Sequence, residues 1–175
     1  LLVTAANGCS AVSSVTITQN IAAPIVNINN TTGTNELTCS TTSISLVANG
    51  GISYSWSNGT AVIGTNAALN VSAPGTYTVT ATGANGCTAT ASITITQNTT
   101  APTVNISNTT GVTVLNCTTT SINLQASGGV SYSWSNGTTN VGSNATLSVT
   151  SPGTYTVTAT GANGCTATAN TTITQ

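Results

Sequence analysis

Five cysteines, two tryptophans, four tyrosines and one glutamate carry nearly all the chemistry in this 175-residue chain that is not a hydroxyl or an amide. Cys9, Cys87 and Cys165 stand 78 residues apart, and so do Cys39 and Cys117. Cys39 and Cys87 are separated by 48 residues, as are Cys117 and Cys165, which predicts one disulfide inside each repeat, Cys39 with Cys87 and Cys117 with Cys165. Cys9 is left over, and its partner is expected in the earlier part of its own repeat. A paired framework in small units points to an oxidising, extracytoplasmic setting. Closing a loop of that length contributes about 4 kcal/mol in the chain-entropy model, a large share of what a small domain holds.

The remaining titratable chemistry is sparse. Glu36 is the only charged side chain, and Val114 takes its place one repeat later, so it reads as a solvated loop residue. General acid–base or nucleophilic catalysis needs a group that trades protons near neutral pH beside its nucleophile, and the hydroxyls here have no base to activate them. The expectation is a protein that is not an enzyme and takes no cofactor. Calcium needs several carboxylate ligands, which this chain cannot supply. Nucleic acid and anionic lipid are held through Lys and Arg, of which there are none. No apolar run is long enough to span a membrane, so direct membrane insertion is not expected, and no signal-peptide pattern is present.

Trp56 and Trp134, with Tyr54, Tyr77, Tyr132 and Tyr155, could stack on sugars, but each falls in register with alternating apolar partners, which predicts core. Outward threonine rows, Thr76, Thr78, Thr80 and Thr82 beside Thr90, Ser92, Thr94 and Thr96, invite an ice-binding reading. Sheet twist spoils the flat lattice it requires, whereas threonine on a solvated strand face is ordinary. Two Asn-X-Thr pairs stand in register in predicted loops, Asn30 with Asn108 and Asn58 with Asn136, and are candidate glycosylation sites.

All these residues must be positioned by strands. Apolar residues take every second place in 76–82 and again in 89–95, the period of a half-buried strand, and shorter candidates lie at 25–28, 43–48, 53–57 and 68–71. Asn58-Gly59, Pro74-Gly75 and Asn85-Gly86 mark turns, with tight hairpins expected at the two Asn-Gly steps because both residues accept positive φ. Six or seven short strands with turns every 8 to 12 residues predict a β-sandwich. The 78-residue period divides the chain into 1–19, matching the last two strands of a repeat, and two complete modules, 20–97 and 98–175. A lone hairpin is marginal, so 1–19 is expected to be ordered by strands that complete its sandwich, from the same polypeptide or a neighbouring subunit.

Gly75-Thr76-Tyr77-Thr78-Val79 with Trp56 upstream resembles the tyrosine corner and core tryptophan of immunoglobulin domains, although Val79 and Val157 stand where such a domain has its second cysteine. The segments SISLVANGGISYSWSNG and APGTYTVTATGANGCTATASITIT, with Cys39 before the first, resemble SprB-type repeats of giant Bacteroidetes cell-surface adhesins associated with gliding motility. That resemblance implies export by the type IX route and display as long surface filaments. The reading is thus an all-β chain of tandem immunoglobulin-like β-sandwich modules, a structural repeat of an extracellular filament or adhesin stalk. Its partners would be neighbouring repeats or subunits of the filament, with surface glycans as a further possibility. The alternatives are a glycan-binding module, with surface glycans as its partner, and a strand-exchanging pilus-like subunit.

Overall fold

The computed structural model describes residues 1–175, and every regular element in it is a strand. In chain order these are β1 (Leu2–Thr4), β2 (Ser10–Val12), β3 (Asn27–Asn30), β4 (Glu36–Thr38), β5 (Ile44–Asn49), β6 (Ser53–Ser57), β7 (Val62–Gly64), β8 (Ala68–Val71), β9 (Gly75–Thr82) and β10 (Thr88–Asn98). The pattern then recurs as β11 (Asn105–Asn108), β12 (Ile122–Ser127), β13 (Ser131–Ser135), β14 (Asn140–Gly142), β15 (Thr146–Val149), β16 (Gly153–Thr160) and β17 (Thr166–Ile173).

Each complete sandwich packs a three-stranded sheet on a larger one. The first sets β3-β5-β8 against β4-β10-β9-β6-β7, and the second sets β11-β12-β15 against β14-β13-β16-β17. Alternation does the sorting. Tyr77, Val79 and Ala81 on β9 are buried, while Thr76, Thr78 and Thr80 face outward and pair across to Thr94, Ser92 and Thr90 on β10. Thr76 and Thr94 hydroxyls lie 3.1 Å apart, and Thr78 and Ser92 hydroxyls 2.9 Å apart, so the outer face is tied by cross-strand hydrogen bonds. Nine buried side chains fill the first core: Leu37, Ile44, Leu46, Ala48, Trp56, Val71, Tyr77, Val79 and Ile95. The second core uses the residue 78 positions later in every case, from Leu115 to Ile173.

Two strands escape the alternation pattern. β4 is three residues long and runs parallel to the end of β10, Glu36 opposite Thr96 and Thr38 opposite Asn98. In the second sandwich it shrinks to a single parallel bridge between Val114 and Thr174, held by Leu115 N donating to Thr174 O at 2.8 Å. β7 and β14 are equally short and join their sheets across a bulge beside Trp56 and Trp134. The Asn-Gly turns also differ from the tight hairpins expected. No residue other than glycine has positive φ, so Asn58 and Asn85 instead accept backbone hydrogen bonds through their side chains, and Gly59 and Gly86 alone turn left-handed.

The disulfide differs from the expected pairing. Cys39 bonds Cys165 of the other sandwich, not Cys87, and Cys117 is free rather than bonded to Cys165. β10 explains why. Cys87 sits just before its first residue, whereas Cys39 follows β4, which pairs with its last three. Eleven residues at about 3.3 Å each put the two cysteines about 36 Å apart, far beyond the roughly 7 Å Cα separation a disulfide tolerates. The opposite ends of one sandwich cannot be clamped together. The end of one sandwich and the start of the next can.

Residues 1–19 form a hairpin, Leu2 opposite Val12 and Thr4 opposite Ser10, and Leu1 takes the place of Val157, midway along β16. Leu1, Leu2, Val3, Val12, Val15 and Ile17 are all exposed.

Candidate functional site

The place where the chain departs from simple repetition is the junction between the two sandwiches. Three segments meet there: the stretch after β4, the linker that follows β10, and the turn between β16 and β17. That turn, Gly161-Ala162-Asn163-Gly164-Cys165, is closed by Gly161 N donating to Cys165 O at 2.8 Å and Gly164 N donating to Gly161 O at 2.9 Å. Asn163 then reaches out of the turn. Its Nδ2 donates to Asn98 O at 3.2 Å, Asn98 Oδ1 at 3.1 Å and Thr100 O at 2.9 Å, while its Oδ1 accepts Cys165 N at 3.1 Å. One amide side chain therefore clips the linker to the head of the second sandwich.

The tail of the first sandwich closes the junction. Thr38 N donates to Thr41 O and Thr41 N donates to Thr38 Oγ1, both at 2.9 Å, which presents Cys39 and Ser40 at the tip of a small turn. Cys39 bonds Cys165 with a Cα separation of 5.0 Å, and Cys165 is 3% exposed. Gly164 has φ of 76°, and a Cβ there would lie 2.7 Å from Ser40 Cβ. Glycine thus serves both the turn and the approach of the neighbouring sandwich.

The other sequence-predicted residues lie away from the junction. Trp56 and Trp134 are fully buried, and their Nε1 groups donate to Asn66 O and Asn144 O at 3.0 Å. Tyr77 donates its hydroxyl to Ala73 O at 2.8 Å and Tyr155 to Ser151 O at 2.9 Å, each bracing the corner four residues upstream. Tyr54 and Tyr132 are half-buried and bond Gly51 and Gly129. No aromatic ring stands free on a surface. Asn30 and Asn108 spend their Nδ2 groups inside their own loops, on Thr34 O and Val112 O at 2.7 Å. Asn58 and Asn136 are exposed and accept backbone bonds through Oδ1 from Thr60 and Thr138. Glu36 is exposed on β4.

An open depression on the second sandwich, lined by Asn136, Val141, Leu147, Val149, Ser151 and Tyr155, contains one titratable group, the Tyr155 hydroxyl already committed to Ser151 O. No group of three His, Cys, Asp or Glu side chains is gathered anywhere to hold a metal. Sequence reasoning found the cysteines but missed Ser40, Asn163 and Gly164. The signal was there: Asn-Gly-Cys recurs at Cys9, Cys87 and Cys165.

No protein-family model and no curated protein matches the chain. Among solved structures, one from a 1.5-MDa bacterial ice-binding adhesin, described for its retention at the host cell surface, matches with a TM-score of 0.56 at 19% identity. The match covers 89% of this chain, which spans 65% of the adhesin chain's length. The fold is the immunoglobulin-like β-sandwich. Looser likenesses are to the fibronectin(III)-like modules of Clostridium thermocellum CbhA, TM-score 0.41 at 10% identity over 85% of this chain and 93% of that one, and to an amphioxus IgVJ-C2 molecule, TM-score 0.37 at 14% identity over 73% and 91%.

Proposed function

We propose that this chain is a non-enzymatic structural repeat of an extracellular surface filament or adhesin stalk, of the kind its SprB-type resemblance implies. The observation that carries the reading is the junction, where a disulfide and an asparagine clip hold successive sandwiches end to end. A connection of that kind transmits load and restricts bending. A catalytic or ligand-binding module has no need of it. The surface supports the same role: with one formal charge it is covered by threonine, serine and asparagine, which suit hydrated, solvated strand faces. The likeness to a chain of a giant bacterial adhesin supports surface display, and a disulfide supports an oxidising compartment.

Immunogold labelling of intact producing cells with an antibody raised against this chain tests the reading. Label on thread-like structures outside the cell is the expected result, and label confined to lysed cells overturns it. Titration of the purified chain with sugars should leave tryptophan fluorescence unchanged, because both indoles are buried. A saturable response would transfer the reading to glycan recognition.

A further inference from the structure

Two of the three free cysteines stand in the two halves of a junction that the structure shows completed once. Cys87 lies in Gly83-Ala84-Asn85-Gly86-Cys87, closed by Gly83 N to Cys87 O at 2.8 Å and Gly86 N to Gly83 O at 2.9 Å, as in the turn that holds Cys165. Asn85 Nδ2 clips Asn20 O at 3.2 Å and Ala22 O at 2.9 Å, the counterparts of Asn98 and Thr100. Cys117 lies in the counterpart of the Cys39 turn, with Asn116 N donating to Thr119 O at 3.0 Å where Thr38 N donates to Thr41 O. Both halves are therefore preformed. What differs is the neighbour: Gly164 meets Ser40, whereas Gly86 has nothing within 4 Å, and Cys87 is more exposed than Cys165.

We propose that Cys117 and Cys87 are covalent attachment points for further copies of this same repeat: Cys117 bonds the Cys165-type cysteine of a following copy, and Cys87 bonds the Cys39-type cysteine of a preceding one. Each bond joins two thiols. Two protons and two electrons leave for the disulfide form of a thiol–disulfide oxidant, which is reduced to its dithiol. The result is an interleaved ladder, because each bond reaches across 126 residues while the repeat is 78 long. Thirty residues separate Cys87 from Cys117. Pulled taut after unfolding, a ladder of such bonds frees one 30-residue stretch for every two repeats. Pairing within repeats would free one for every repeat, so the ladder yields half the extension. The inference rests on the junction and the repeat, and it stands whether or not the protein is displayed on a cell surface.

The test uses this chain beside the same chain with one more copy of residues 98–175 fused after Gln175, both folded under oxidising conditions, alkylated without reduction, and weighed intact. The chain itself should carry three alkyl groups, on Cys9, Cys87 and Cys117. The extended chain should again carry three, since Cys117 becomes bonded and the added copy contributes one open thiol. A rise to five would show that Cys117 takes no partner, and a fall to one would show pairing inside each repeat; either overturns the proposal. Cys117→Ser in the extended chain should raise the count to four, and an unchanged count would overturn the assignment to Cys117. That substitution lies in an exposed turn, so folding is retained.

Discussion

At the scale of single residues, the two sandwiches are near-duplicate experiments on the same physics. Trp134 is fully buried, its indole nitrogen bonded to Asn144 O, so Trp134→Ala leaves both a large cavity and an unpaired carbonyl. The expected cost is about 3–5 kcal/mol, read as a fall in the midpoint of urea denaturation for the second sandwich. Gly128 is constrained from another direction. Its φ is 96°, and a Cβ would fall 1.9 Å from Thr103 O, so Gly128→Ala must displace the strand entry that follows the linker. The combined backbone strain and overlap should cost more than about 1 kcal/mol by the same measurement. A change within a few tenths would show that the close approach at Thr103 is relaxed in solution.

At the scale of elements, the decisive part is a turn and not a strand. Asn163 satisfies the linker carbonyls of Asn98 and Thr100 while holding its own turn. Asn163→Ala should destabilise the second sandwich by about 0.5–1.5 kcal/mol, because the linker loses its donor and water can reach the exposed carbonyls of Asn98 and Thr100 in its place. It should also loosen the angle between sandwiches, which residual dipolar couplings of oxidised Asn163→Ala would register as a drop in shared alignment. If alignment is unchanged, the disulfide alone fixes the geometry. Most strands were legible at this scale because one face is buried and the other wet, as in β9 and β10. β4 and β7 were not, since three residues are too few to show a period and their pairing is supplied by strands far away in sequence.

At the scale of the whole molecule, the Cys39–Cys165 bond couples two units that have separate cores. By the chain-entropy argument a bridge over 126 residues removes about 5 kcal/mol worth of freedom from the fully unfolded chain. Reduction should therefore lower the melting temperature and turn one coupled transition into two independent ones in calorimetry, and small-angle scattering should show a wider range of inter-sandwich angles. A trace unaffected by reduction would mean that the bond does not form in solution. Charge plays almost no part: with Glu36 as the only charged side chain, moving from 0.05 to about 0.3 M sodium chloride should leave the melting temperature nearly unchanged.

The 78-residue interval and the two-residue alternation were enough, by themselves, to determine repetition, an all-β fold and which side of each long strand is buried. Those properties are local or periodic, and burial on one face writes them directly into residue order. The destination of each cysteine was not of that kind. Equal 48-residue spacing of Cys39 to Cys87 and of Cys117 to Cys165 pointed within the repeat, yet a disulfide answers to distance in space. The parallel pairing of β4 with the far end of β10 carries Cys39 away from Cys87 and toward the turn that holds Cys165. Only the tertiary structure decides such a pairing, because the ends of a strand about 36 Å long belong to different neighbourhoods however close they lie in sequence.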